Sequence, residues 1–268
     1  MLFCIQKGGA WYISLFGLVT VLAANEFAGL ANRYKKTGTS RVLAMLASLA
    51  FFLGFAFMFC LSLRASLVFW LLFLGCITAV MVNELYARKN SPITDMAYTL
   101  FPVLDWALPM ALLIVMGYSL HHIDGQTGCY SPALPLMLFL CIWANDVGAY
   151  CTGCTLGRHK LFERVSPKKT WEGSAGGAVL TLAVAGLVSH LVPSMYSMFP
   201  LPVWLGMGLV TVLFGTWGDL TESLMKREMG VKDSGNILPG HGGILDRFDS
   251  AFMAIPAVTL YFVCIIYF

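Results

Sequence analysis

Eight runs of about twenty mostly apolar residues set the terms on which this chain can fold. They cover residues 10–31, 42–63, 65–83, 97–118, 131–150, 173–192, 201–220 and 251–268. Each is long enough to cross a bilayer as a helix. Within hydrocarbon every backbone N–H and C=O must be paired inside the segment, and helices achieve this. The expected fold is an all-α polytopic transmembrane bundle. Composition agrees, since 58% of residues are hydrophobic and 12% charged, with a mean hydropathy of +0.76. A soluble domain does not carry such a balance. The formal charge of +3 is too small to argue for nucleic acid. Cys4, Cys60, Cys76, Cys141 and Cys264 sit in or beside apolar runs and read as packing residues. Cys151 and Cys154 form a CxxC without a second pair, weak grounds for zinc or redox chemistry. Met1 to Gly9 are not expected to be a cleavable signal peptide.

Basic residues orient the spans. With residues 32–41 placed in the cytoplasm and sides alternated, only Lys7 and Arg64 of the 17 Lys and Arg fall outside. The rest, Arg88 and Lys89 included, fall inside, as the positive-inside rule requires. Both charged segments, 155–172 and 221–250, then face the cytoplasm.

The second of these segments is the more informative. Between Gly218 and Ser250 lie Asp219, Glu222, Glu228, Asp233, Asp246 and Asp249, with Lys226, Arg227, Lys232, Arg247 and His241. Carboxylates take hard cations such as Mg²⁺, and neighbouring bases neutralise phosphate oxygens. Asp219, Glu222, Ser223, Lys226 and Arg227 share a face if helical, as do Asp246 and Asp249. Pro239 to Gly243 must be a turn or loop. A helix, a glycine-rich reversal and a second helix bring two acidic faces together. Upstream, Asn145 to Gly173 carries Asp146, Arg158, Lys160 and Arg164, then Ser166, Lys168, Lys169 and Thr170 just before an apolar span. Two hydroxyls and two ammoniums ahead of a helix N-terminus suit phosphate better than a lipid-facing surface alone. Glu26 and Asp105 are expected to be interior groups with hydrogen-bonded partners. Asp146 and Asp219, at span ends beside charged segments, are expected to be functional. Asp105 lies between Pro102 and Pro109, so its span should kink. Gly173 and Gly177 form a GxxxG, read as packing within the chain.

From Ser223 to Asp249 the chain resembles the phosphatidate cytidylyltransferase (CDP-diacylglycerol synthase) family. Ser223, Lys226, Arg227, Lys232, Asp233, Gly235, Pro239, His241, Gly242, Gly243, Asp246, Arg247 and Asp249 carry the signature without departure. Ser166 to Gly173 and Asn145 to Tyr150 are also similar to it. The resemblance implies a bundle with a cytoplasm-facing polar site. Residues 1–130 would be N-terminal transmembrane helices and 131–268 the catalytic region. It further implies transfer of the cytidylyl group of CTP to phosphatidate, by in-line attack on the α-phosphorus, with release of pyrophosphate. Asp219, Asp246 and Asp249 with Lys226 would be catalytic, and Asp219, Asp246, Asp249 and Asp146 metal ligands. Ser166, Lys168, Lys169, Thr170, Ser223, Arg227, Lys232, His241 and Arg247 would bind substrate. His241 either contacts phosphate or fixes the glycine loop. Mg²⁺, a monovalent cation such as K⁺ and a homodimer are implied by the resemblance alone, as is a place in a bacterial inner membrane. Family members usually begin with a basic cluster and an apolar helix ahead of the segment matching Gly8 to Leu30. Only a few residues precede it in this chain, so a shortened or unusual start is expected.

Two other classes stay in view. A transporter would use intramembrane acids, but does not account for charge gathered at one edge. A CTP-dependent lipid kinase would move the γ-phosphate instead of the nucleotidyl group. The Asp/Gly/Ala-Arg pattern of CDP-alcohol phosphotransferases is absent from the sequence.

Overall fold

Helix is the state these apolar runs fall into, and caps, glycines and prolines decide where each begins and turns. A computed structural model describes residues 1–87, 91–118, 130–235 and 242–268. Arg88, Lys89 and the run from Pro239 to His241 lie outside the described residues. In chain order the helices are α1 Leu2–Lys7, α2 Gly9–Tyr34, α3 Arg41–Cys60, α4 Leu63–Ala87, α5 Pro92–Pro102, α6 Leu108–Tyr118, α7 Ala133–Leu156, α8 Trp171–Leu191, α9 Pro193–Met198, α10 Leu201–Glu228, α11 Leu245–Phe248 and α12 Ala251–Tyr267. Among the described residues, eight helical segments are long and apolar enough to cross a membrane. They coincide with the eight apolar runs, and the chain is an all-α polytopic membrane bundle. Helices α7 and α10 continue past the expected ends at 150 and 220. Their added polar residues include Glu222 and Lys226, which find partners on a packed face.

The span from Pro92 to Tyr118 does not break at its prolines. Pro109 has no N–H to give the carbonyl of Asp105, one turn earlier. The chain takes a π-helical turn at Val103–Ala107, with Leu108 N–H reaching back to Val103 O. The widened turn keeps the span continuous.

Packing inside a bilayer gains little from the hydrophobic effect, so helices gain by close approach. Helices α7 and α8 meet over glycine. A Cβ on Gly148 would stand 2.8 Å from Gly176 O, and one on Gly177 2.5 Å from Asn145 Oδ1. The GxxxG therefore packs within the chain. Buried hydroxyls return to their own helices, as Thr20 does to Phe16 O (2.8 Å) and Thr211 to Met207 O (2.8 Å). Tyr12, Phe16, Phe52, Trp106, Trp204 and Phe262 are fully buried in one core running from Ile5 to Phe262. Trp204 Nε1 is satisfied by Met195 O and Phe199 O. On α4, by contrast, the buried residues are Ser66, Val80 and Glu84, and its leucines face outward as on a lipid-facing helix.

One element was not expected. Lys160–Phe162 (β1) and Ser166–Thr170 (β2) form an antiparallel hairpin between α7 and α8. Glu172 accepts from the backbone N–H groups of Arg158 and His159 and meets His159 Nδ1 at 2.6 Å. Thr170 caps α8 by accepting from Gly173 N–H (3.1 Å). The hairpin is thereby fixed over the end of α7.

Candidate active site

The hairpin, α7, α8, α10 and the start of the last span enclose a cavity of about 490 Å³. Helix α7 turns Asn145, Asp146, Ala149, Tyr150 and Gly153 toward it, a single helical face. Strand β2 adds Lys168, Lys169 and Thr170, and α10 adds Thr216 and Asp219. Asp246, Arg247, Asp249 and Ser250 close the far wall. All four carboxylates expected to hold a metal thus line one space, with three of the expected phosphate-binding bases. Gly218 makes this possible. Its missing Cβ would lie 2.6 Å from Asp249 O, so α10 and the Asp249 backbone are in direct contact.

The charges are paired across elements. Lys169 Nζ stands 2.5 Å from Asp219 Oδ2, joining the hairpin to α10. Ser223 Oγ donates to Asp219 Oδ1 at 3.3 Å. Lys226 Nζ stands 2.6 Å from Asp246 Oδ1 and 3.3 Å from Glu222 Oε1. Glu222 is 2% exposed, and its oxygens make no hydrogen bond of good geometry among the described residues. The 3.3 Å approach to Lys226 is an ion pair without hydrogen-bond alignment. One cation thus sits between two carboxylates behind the cavity wall.

Asp246 is the most heavily bonded of the four. Besides Lys226, its Oδ2 accepts from Ser234 N–H (2.9 Å), Ser234 Oγ (2.8 Å) and Gly243 N–H (3.1 Å). Ser234 Oγ also lies against Glu26 Oε1 of α2, and Ile244 N–H donates to Glu26 Oε2 at 2.7 Å. A Cβ on Gly235 would stand 2.7 Å from Glu26 Oε1. One on Gly243 would overlap both that oxygen and Ser234 Oγ. These two signature positions are glycine because the Glu26 carboxylate occupies the room that a side chain would need.

The model of the Cytidylyltransferase family matches residues 1–265. This chain belongs to that family. Similar curated proteins are the phosphatidate cytidylyltransferases of Staphylococcus aureus strain COL (48% identical over 127 residues), Staphylococcus saprophyticus (46% over 127) and Staphylococcus haemolyticus (48% over 128). In each the match covers 47% of this chain and 47% of the relative. The chain spans about half the length of the curated relatives it matches.

Not every residue of the family signature reaches the cavity. Among the described residues, Ser166, Ser223, Lys226, Arg227 and Lys232 stand outside its lining. Ser223 and Lys226 act one bond back, on Asp219 and Asp246. Arg227 donates to Val231 O, and Lys232 is exposed. His241 lies outside the described residues. Trp143 and Thr216 line the cavity with no motif to announce them. Glu26 was expected to have a partner, and its partners turn out to be the signature loop. Asp105 was expected to have one too, yet its Oδ2 makes no hydrogen bond among the described residues.

The family resemblance implies Mg²⁺, and the donor set bears on that. Four carboxylates supply the hard oxygens Mg²⁺ prefers. Among the described residues no three His, Cys, Asp or Glu stand close enough to hold an ion by themselves. Mg²⁺ in nucleotide sites takes one or two carboxylates together with phosphate oxygens. The carboxylates present fit Mg²⁺ only where further oxygens complete its shell.

Proposed function

We propose that this chain transfers the cytidylyl group of CTP to phosphatidate, giving CDP-diacylglycerol and pyrophosphate. The observation that carries the reading is the cavity itself. In a member of the cytidylyltransferase family, Asp146, Asp219, Asp246 and Asp249 face Lys168, Lys169 and Arg247 at the ends of membrane spans. Such a place suits a water-soluble polyanion meeting a lipid phosphate. The distribution of basic residues favours a cytoplasmic opening.

Two polyanions must be brought together, so charge neutralisation and positioning dominate the chemistry. Lys169 exchanges Asp219 for a phosphate oxygen when the nucleotide enters. Lys168 and Arg247 neutralise further phosphate oxygens, with Arg247 offering a planar fork. Lys226, Ser234 and Gly243 hold Asp246 in one orientation. A phosphatidate oxygen attacks the α-phosphorus of CTP, and the bond from that phosphorus to the β-bridging oxygen breaks. Pyrophosphate leaves with the electron pair. The attacking phosphate is already ionised near neutral pH, so no general base is needed. Mg²⁺, held by carboxylates among Asp146, Asp219, Asp246 and Asp249, would neutralise the phosphate charge that develops on the leaving group.

The test is the fate of label from CTP marked on its α- or its γ-phosphate, in micelles containing phosphatidate. The reading expects α-label in the lipid and γ-label in pyrophosphate. Label from the γ-position in the lipid would mean kinase chemistry and would overturn it.

A further inference from the structure

A second cavity, of about 560 Å³, lies beside Ser234, whose hydroxyl meets Glu26 on this side and Asp246 on the other. Its walls include Asn25, Glu26, Leu30, Asn32 and Arg33 of α2, Arg41 of α3, and Ser234. The cytidylyl-transfer reading uses Glu26 and Ser234 to position Asp246, but it gives no part to Arg33 or Arg41. Arg33 and Arg41 make no ion pair or hydrogen bond among the described residues. Glu26 is already committed through both oxygens, to Ser234 Oγ and to Ile244 N–H. The open charge of this cavity is therefore positive.

The cavity is also held in shape before any ligand arrives. Asn32 Nδ2 donates to Thr39 O at 2.7 Å, and Thr37 Oγ1 donates to Asn32 Oδ1 at 3.1 Å. These bonds pin the turn between α2 and α3. Ser40 caps α3 at Leu43 N–H, which places Arg41 in the first turn. Gly29 lets the Arg41 guanidinium lie flat on α2, for a Cβ there would stand 3.3 Å from its Cζ and Nη2. Ordering the arginine in advance removes much of the entropy cost of binding. Two guanidinium groups with two amide side chains suit a tetrahedral, doubly acceptor-rich anion. The arginines sit at the end of one membrane span and the start of the next, the level at which lipid headgroups lie.

We propose that this cavity binds a phosphate-bearing anion through Arg33 and Arg41, the phosphate of an acidic lipid headgroup reaching it from the bilayer. The site does not depend on the reaction assigned to the first cavity. It shares a wall with it, because Ser234 touches Glu26 on one side and Asp246 on the other.

The test is retention of phosphatidylglycerol, an acidic lipid that is not the proposed substrate, by the purified full chain in native mass spectrometry. The wild type is expected to hold an adduct that Arg33→Gln/Arg41→Gln loses, by about tenfold for each arginine. The charge-matched control Lys160→Gln/Arg164→Gln is expected to keep it. Equal retention in all three overturns the proposal, as does equal loss in the control. If the double variant does not fold, Arg41→Lys replaces it; a partial loss supports the planar fork, and none overturns it. Displacement of the lipid by excess inorganic phosphate would identify a phosphate site open to water. Failure to displace it would identify the lipid headgroup as the source. Either result supports the site.

Discussion

Glu26 and Ser234, 208 residues apart in sequence, are joined by a hydrogen bond inside the molecule. The serine hydroxyl also reaches Asp246 at 2.8 Å. It has one proton for two carboxylates, while its backbone N–H serves Asp246 separately. A helix from the N-terminal half therefore sets the position of an acid in the family signature.

Glu26→Gln tests that relationship. Glutamine keeps the shape but presents an NH₂ where Ser234 or Ile244 now donates. A lost hydrogen bond to a charged group costs about 1.5–3 kcal/mol. Expressed in turnover, that is roughly a tenfold to hundredfold fall. Pyrophosphate release at saturating CTP is the measurement, with a normal elution profile showing that the bundle is intact.

Gly243→Ala is expected to be worse, because its new methyl would overlap Glu26 Oε1 and Ser234 Oγ. The carboxylate cannot retreat without leaving Ile244 N–H unpaired. Gly75→Ala is the matched comparison, since a Cβ there meets nothing within 4 Å. Activity should be lost in the first variant and unchanged in the second.

Lys169 and Asp219 should behave as a coupled pair, given their 2.5 Å separation. Lys169→Gln is expected to raise the KM for CTP about tenfold, the effect of one lost charged contact. Combined with Asp219→Asn, the two changes should fail to add by about 0.5–3 kcal/mol. Steady-state kinetics of the four-protein cycle measures this. Strict additivity would separate the two residues.

Gly177→Leu should part α7 from α8, because even a Cβ would lie 2.5 Å from Asn145 Oδ1 and 2.8 Å from Asn145 O. Overpacking of this kind typically costs about 1–3 kcal/mol. A lowered thermal transition in detergent is the expected outcome.

The eight spans were legible because bilayer thickness converts directly into a length of apolar sequence. The carboxylates were legible because charge in such a chain is costly and therefore conspicuous. Asp219 and Asp246 could be paired from helical spacing on either side of a glycine reversal. The role of Glu26 could not be read this way, because no local spacing links α2 to Ser234. The hairpin was hidden for a different reason. Lys160 to Thr170 has no strict alternation, and its place over α7 depends on Glu172 and the Thr170 cap. The π-helical turn at Asp105 was half legible. The prolines announced an irregularity, but only the structure shows that it takes the form of a widened turn closed by Leu108 N–H on Val103 O.

The most direct measurement is pyrophosphate release by purified protein in mixed micelles, comparing wild type with Asp219→Asn and Asp249→Asn. Both residues line the cavity, and neither holds the signature loop as Asp246 does. Release is expected to require CTP, phosphatidate and Mg²⁺ together, and to be almost completely lost in both variants with folding preserved. Full activity in both variants would contradict the assignment of this cavity as the site of cytidylyl transfer.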